Sequence, residues 1–576
     1  MSSLFSTLRQ LRLPTNQELK KIPYYLTRRE WTIFAVLIVI LATATIAILY
    51  RINQKFMVQI PTIGGTIHEG IIGAPRFINP VLAVSDADKD MTTLIYSGLM
   101  RKSADGTFIP DLAESYTISA DGLTYTFILK KDIFFHDNTT VTVDDVLYTI
   151  NKIKDSSIKS QHAIEWQGVT PEKIDEATIS FTLKQPFVSF LENTTVGILP
   201  MHIWQSIEAT DWIFSKYNTA PIGSGPYMFQ KKSVTSDGTL TATTLKSFEK
   251  FALGKPYIPT IKIYFYPNEG ELLDAYAEKT ITSLGAVSPS EAQAIMQNGG
   301  RIETSILPRI FGLFFNQAQA PLFSDKTLVT ALNDSIDKQA IIDTVLSGFG
   351  QAIDSPIPIT LSSQIPPLHT VDSEAIAASL QKDGWLLGDD GYRSKKSTTG
   401  TTPLSFSIAT GDAPELKATA AMIKADFERI GARAEIKIFD IGTLNQTIIR
   451  PRKYDVLLFG QIVSTESDLF AFWHSSQRND PGLNVAMYAN TKTDTALEKA
   501  QGTLEASARE ELYEKFKIEI KNDKPAIFLY SPQYIYIVDK KINGFSLAHI
   551  VESSDRFRDV YQWYLATDSV WKLFTH

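Results

Sequence analysis

A chain of 576 residues that is 44% apolar can bury sizeable cores and is long enough for more than one domain. Its net charge of −7 gives no sign of a nucleic-acid partner. It contains no cysteine, which excludes thiolate catalysis, Cys-based zinc sites, disulfides and a lipid-modified cysteine.

In chain order the first feature is residues 31–50, WTIFAVLIVILATATIAILY, without a charge. At ~1.5 Å per residue, twenty helical residues cross a hydrocarbon core of about 30 Å. Arg12, Lys20, Lys21, Arg28 and Arg29 precede this run, against only Arg51 and Lys55 in the twenty residues after it. The asymmetry predicts a single-pass helix over 31–50, a cytoplasmic tail over 1–30, a tether over 51–63 and an acidic remainder outside the cell membrane. A cleaved signal peptide, with Ala42-Thr43-Ala44 at the cut, is the competing reading, although the run stays apolar past it.

Beyond the tether, residues 64–70 read as a strand and 76–82 as a turn into a loop. Met91, Leu94, Ile95 and Leu99 have helical spacing. Asp121-Gly122 is a hairpin turn, followed by the alternating strand Leu123, Tyr125, Phe127, Leu129. Thr142 can cap a helix with Asp144 and Asp145 in its first turn. Residues 177–183 alternate as a strand, and 187–207 are amphipathic with an interruption at Pro200. The run Pro221-Ile222-Gly223-Ser224-Gly225-Pro226-Tyr227 lacks the Lys and helix start of a phosphate loop, so it reads as a turn. A strand over 257–266 then leads to a helix near 271–278 and a short buried segment at 281–284.

Residues 310–316 are apolar and aromatic on both alternating faces, which suits a buried strand. Ser324 can cap a helix carrying Leu328, Ala331 and Leu332, and Asp337 a second one with Ile341, Ile342 and Val345, which Gly348 stops. A polar stretch over 360–402 leads to strands over 404–408, 434–439 and 454–459, a helix over 415–429 and another over 505–520. That βαβ rhythm implies a mostly parallel sheet. The aromatic C-terminal segment, with Trp563, Tyr564 and Trp571, reads as core.

Many fixed motifs carry a resemblance to a known family. They are Phe108-Ile109-Pro110-Asp111-Leu112-Ala113, Phe134-Phe135-His136-Asp137, Val143-Asp144-Asp145-Val146, Leu313-Phe314-Phe315-Asn316, Pro321-Leu322-Phe323-Ser324-Asp325, Ser335-Ile336-Asp337-Lys338 and Gly348-Phe349-Gly350. Together they resemble extracytoplasmic solute-binding proteins of family 5, the oligopeptide, dipeptide and nickel binding subunits of ABC importers. The resemblance covers roughly residues 64–544. It implies an α/β fold of the two-lobed periplasmic-binding-protein kind, class II with an extra subdomain, behind one N-terminal transmembrane helix. The expected parts are lobe I over 64–100 and 218–308 with its subdomain at 101–217, lobe II over 309–534, and a return to lobe I over 535–576.

The resemblance also implies the function. The expected ligand is an oligopeptide or similar extended solute, captured in the cleft and delivered to ABC permease subunits with cytoplasmic ATPases. Hinge closure accompanies binding. A tethered extracytoplasmic sensor or chaperone on the same fold is the alternative. The cleft is expected to include Val84, Ser85, Phe315, Asn316, Gly460, Gln461, Ile462, Ser464, Glu466 and Asp468. In peptide-binding relatives an Asp in the 460–468 segment pairs with the peptide's amino terminus, and here Ser464 takes that position. Glu466 and Asp468 are possible substitutes or solvated loop acids. Recognition is therefore expected mainly through main-chain pairing at Phe315, Asn316, Gly460, Gln461 and Ile462.

No catalytic residues, metal or cofactor are expected. The eight histidines are scattered, with no H-E-x-x-H pair. Ser156 with Lys159 and Ser335 with Lys338 satisfy S-x-x-K, but neither has a K-T-G or S-D-N partner motif. The reading is a binding protein, not an enzyme.

Overall fold

The computed structural model describes residues 27–103, 105–358, 370–398 and 400–574. Most of the expected cytoplasmic tail and the start of the polar stretch near 360 lie outside them. The chain forms two units, one made of both chain ends and one of residues 63–565.

In the first unit the helix Arg28–Phe56 contains the whole uncharged run, exposed on every side. Thr27 and Glu30 form a reciprocal cap, with the Glu30 carboxylate accepting the Thr27 N–H and hydroxyl, each at 2.7 Å. The tether expected over 51–63 is largely ordered. It is the end of this helix followed by the strand Met57–Thr62, which pairs antiparallel with Ala566–Trp571 from Met57 opposite Trp571 to Thr62 opposite Ala566.

The second unit is built on one long sheet. Its order is Arg433–Phe439, Ser405–Gly411, Val456–Ile462, Arg309–Phe315, Ala526–Ile537, Ser283–Gly285, Thr66–Ile72, Thr260–Tyr266, Leu240–Ser247, Tyr227–Val234. The sheet is mixed, where the βαβ rhythm predicts a mostly parallel one. Among the described residues, parallel pairs occur only around Ser405–Gly411 and around Thr66–Ile72. The strands that carry the chain between the lobes, Arg309–Phe315 outward and Ala526–Ile537 back, run antiparallel because they traverse the same boundary in opposite directions.

Two lobes follow from the cores. In lobe I, Ile67, Leu94, Ile261 and Trp563 share a cluster with the subdomain's Phe127, Phe181 and Trp166. The subdomain is a four-stranded antiparallel sheet in the order Ala113–Ile118, Thr124–Leu129, Thr178–Leu183, Val169–Lys173. In lobe II the strand Arg309–Phe315 sends Leu313 and Phe315 to one cluster and Ile310 and Phe314 to another, so both its faces are buried as its composition predicts.

His136 ties the Phe134-Phe135-His136-Asp137 motif of lobe I to the 221–227 turn. Its Nδ1 accepts the Gly223 N–H at 3.2 Å and its Nε2 lies 3.1 Å from the Gly225 carbonyl, which fixes a neutral ring with the proton on Nε2. A Cβ on Gly223 would stand 2.1 Å from the Ile95 carbonyl oxygen, and one on Gly225 would stand 2.6 Å from the Ile95 carbonyl carbon. The glycines of the 221–227 turn are there for this close approach.

Local details differ from the sequence-based expectation in a few places. Asp325, not Ser324, caps the helix Lys326–Ser335, because Pro321–Ser324 forms a 3₁₀ turn and leaves the Asp325 carboxylate to accept the Thr327 and Leu328 N–H groups. The amphipathic stretch 187–207 forms two short helices, Phe190–Asn193 and Met201–Trp204. The polar stretch after 370 contains the helix Ser373–Lys382 and a three-stranded sheet. Trp563 is core, whereas Trp571 is 44% exposed.

Candidate functional site in the interlobe cavity

The lobes are joined by two segments in contact. Ala526–Ile537 pairs with lobe II strands through Pro532 and with lobe I strands from Gln533 onward. Beside it, Leu307-Pro308 connects Ile302–Ile306 to Arg309–Phe315, and the Leu307 N–H donates to the Pro532 carbonyl at 2.9 Å. Two short crossings side by side have the geometry of a hinge.

Next to them lies a series of connected cavities that meet at Glu192. One, of about 350 Å³, is lined from lobe I by Lys102, Ser189 and Glu192, from lobe II by Ser464–Ser467 and Arg509, and by Pro308 at the crossing. A larger one, of about 920 Å³, extends from Ser464, Thr465 and Asp468 towards the subdomain and Arg558. The lobes touch across this space, with the Ser189 and Ser467 hydroxyls 2.9 Å apart.

The lobe II rim is the loop after the strand Val456–Ile462. Asp468 opens the short helix Asp468–Trp473, and its Oδ2 accepts both the Ser464 hydroxyl at 2.8 Å and the Thr465 N–H at 2.9 Å. Glu466 pairs with Arg509 at 3.0 Å, and that guanidinium also reaches the Thr503 carbonyl. Facing them, Glu192 lies 3.4 Å from the Lys102 ammonium. Burial pushes the Glu192 carboxyl above the usual range, Lys102 opposes this, and the Asp468 carboxylate adds to the rise. Acids from the two lobes thus sense each other across the cavity.

The sequence-predicted residues divide into three groups. Ser464, Glu466 and Asp468 line the cavities. Gly460, Gln461 and Ile462 lie on the strand leading to them and, among the described residues, are paired on one side only, with Phe311, Ile310 and Arg309. Gln461 is buried and its Oε1 has no hydrogen-bond partner among the described residues. Phe315 and Asn316 are placed elsewhere, buried in lobe II, with N–H groups donating to the Pro525 and Asp455 carbonyls and the Asn316 amide to the Arg452 carbonyl. Val84 is exposed, and Ser85 caps the helix Asp86–Ile95, beside Ala83 and Lys89 of another cavity.

Lys102, Ser189, Glu192 and Arg509 escape the sequence reading, since each looks like an ordinary surface residue until the fold brings it to the cavity. The S-x-x-K pair of lobe II is engaged with main chain. Ser335 Oγ donates to the Leu332 carbonyl and Lys338 Nζ to the Ile353 carbonyl. Among the described residues no group of three or more His, Asp or Glu side chains stands ready to hold a metal ion.

Two α/β lobes, a paired crossing and a polar cavity between them define a cleft-type solute-binding protein. Residues 107–481 match the model of the bacterial extracellular solute-binding proteins, family 5 Middle, and the chain belongs to this family. It is similar to the oligopeptide-binding protein AppA of Bacillus subtilis, 25% identical over 88% of this chain and 92% of that one. The AppA structure in complex with a nonapeptide matches with a TM-score of 0.65 at 24% identity, over 88% of this chain and 100% of that chain. CtaP of Listeria monocytogenes, an ABC transporter substrate binding protein, matches with a TM-score of 0.73 at 24% identity over 88% and 100%. NikZ of Campylobacter jejuni in complex with Ni(L-His) matches at 0.66 and 24% over 87% and 99%.

Proposed function

We propose that this protein captures a short peptide in the interlobe cavity, closes over it and delivers it to an ABC permease with cytoplasmic ATPases. The helix Arg28–Phe56 holds it as a retained anchor at the outer face of the cell membrane. The AppA–nonapeptide complex and the names of the peptide-binding relatives support the ligand class. Retention of the helix is supported by its continuity. It runs unbroken past Ala44 to Phe56, and the side chains of Asn53 and Phe56 are engaged by Trp571. The role is that of a binding protein without catalysis.

The observation that carries the reading of the site is the Asp468 carboxylate at the hydroxyl of Ser464. Where peptide-binding relatives have an acid, this chain has a hydroxyl that holds a neighbouring acid instead. A carboxylate buried against a peptide ammonium makes a charge-assisted bond whose loss costs several kcal/mol. We therefore assign Asp468 to the ligand's amino terminus, with the unpaired edge at Gly460, Gln461 and Ile462 offering main-chain groups and the orphaned Gln461 Oε1 an acceptor. This gives the amino terminus more weight than pairing alone, and it leaves Phe315 and Asn316 as support beneath the site.

Calorimetry with a bound peptide and its N-acetylated form tests the assignment. Acetylation and Asp468→Asn are each expected to weaken binding about a hundredfold, or ~2.7 kcal/mol. The acetylated peptide should lose little more in the variant. Equal affinity for both peptides in the unmodified protein would return the site to recognition by main-chain pairing.

A further inference from the structure

The C-terminal strand ends beside the outer end of the anchor helix, within the unit formed by the two chain ends. Trp571 stacks on Phe56, with ring centroids 6.3 Å apart and planes 27° from parallel, and its Nε1 donates to the Asn53 Oδ1 at 2.6 Å. The ribbon Met57–Thr62 with Ala566–Trp571 therefore continues the helix rather than hanging from it. Yet its tip is not a core. Trp571 is 44% exposed, Phe56 52% and Leu573 78%, and Tyr50 and Ile52 on the helix are also exposed.

The level of this tip follows from helix geometry. The uncharged run ends at Tyr50, so Asn53 and Phe56 stand about 4.5 and 9 Å further along the helix axis at ~1.5 Å per residue. The headgroup layer beyond the hydrocarbon core is about 5–8 Å thick on each side. Asn53, which holds the Trp571 indole, stands inside this layer and Phe56 at its outer edge, so Trp571 is carried to the level where indole rings concentrate, partly apolar and partly wet. Arg51 and Lys55 lie on the same stretch of helix and suit lipid phosphates.

We propose that the C-terminal Trp571–Leu573 tip is a second membrane contact, seated in the outer headgroup layer of the bilayer that the helix crosses. The occupant of the exposed aromatic tip is lipid, because the tip is continuous with the apolar helix and lies within one or two turns of its lipid-facing end. The proposal rests on the retained-anchor reading. Its consequence is that both chain connections to the binding unit, at Thr62–Ile63 and Leu565–Ala566, leave from a membrane-bound ribbon.

The chain's lack of cysteine makes each introduced thiol unique. The full-length protein is placed in phosphatidylcholine–phosphatidylglycerol vesicles as three single variants, Leu573→Cys, Ala47→Cys within the helix and Ser236→Cys in an exposed loop. Each carries the same environment-sensitive fluorophore. The label at 573 is expected to emit to the blue of that at 236, to resist aqueous iodide, and to be quenched by headgroup-level nitroxide lipids. The label at 47, about 4.5 Å inside the outer end of the run, is expected to respond to nitroxides in the upper acyl chains. Iodide quenching at 573 equal to that at 236, with 47 still in the acyl chains, overturns the second contact and leaves the anchor standing. Shielding of 573 from both iodide and lipid nitroxides assigns the tip to a protein partner and also overturns it. A label at 47 outside lipid removes the anchor reading itself, and the inference with it.

Discussion

Two groups of charged side chains in the binding unit make opposite use of the same chemistry. In lobe I, Arg556 is fully buried between Glu69 and Asp90. Its Nε donates to Glu69 at 3.1 Å, Nη1 and Nη2 donate to the two Asp90 oxygens at 2.8 and 2.7 Å, and Tyr536 donates to the other Glu69 oxygen at 2.7 Å. Every partner comes from the same lobe, and the cluster pins the segment Ser553–Phe557 to the strand Thr66–Ile72 and the helix Asp86–Ile95. At the cavity, by contrast, Glu192, Asp468, Glu466 and Arg509 are half-buried and come from both lobes. A closed network inside one lobe can only hold structure together. A part-solvated one divided between two lobes retains capacity for a ligand and changes when the lobes move.

Breaking the buried cluster should produce the largest effect. Arg556→Met leaves two carboxylates in a dry site without their cation, and a loss of about 3–5 kcal/mol of stability is expected in denaturant unfolding. An unchanged midpoint would show that the cluster is hydrated.

A neutral buried group sharpens the contrast by its pH dependence. Burial pushes the His136 ring down from 6.5 to about 4. The folded state then binds fewer protons than the unfolded chain between those values, so this stability is complete above pH 6.5 and is lost as pH falls towards 4. Burial raises Glu69 to about 7, with Arg556 opposing, and acts in the other direction. Its contribution is complete below 4.5 and fades as pH rises through 7. Comparing unmodified protein with His136→Gln cancels Glu69. The stability advantage of the histidine should shrink by about 3 kcal/mol from pH 7 to pH 4. A constant difference would mean that the ring titrates in the fold as it does in the unfolded chain.

The smallest stability effect is expected at the cavity. Asp468→Asn should change unfolding by less than about 1 kcal/mol, as for other part-exposed charges, while its effect on binding is large. A loss as great as that from Arg556→Met would make Asp468 a structural acid and erase the distinction between the two regions.

The same contrast explains what the sequence makes legible. The N-terminal apolar helix, the hairpin at Asp121-Gly122, the cap at Asp337 and the doubly buried strand before Asn316 depend on neighbouring residues, so periodicity and turn chemistry reveal them. Strand direction does not, because Arg309–Phe315 and Ala526–Ile537 meet across some two hundred residues. The aromatic residues Trp563 and Trp571 look alike in sequence, yet one closes the lobe I core and the other stands exposed beside the helix. The cavity is legible only where a family motif marks it, at Ser464 to Asp468. Lys102, Glu192 and Arg509 carry no local signal, since what makes them part of the site is the lobe opposite.

The central claim is that ligand binding draws two lobes together about the paired crossing at Leu307-Pro308 and Pro532-Gln533. The direct measurement is the distance between spin labels on Glu172→Cys in the lobe I subdomain and Lys515→Cys in lobe II, in the full-length protein with and without a library of short peptides. Peptides that raise the unfolding temperature are expected to shorten and narrow the distance distribution. A stabilising peptide that leaves the distribution unchanged would contradict a closing cleft.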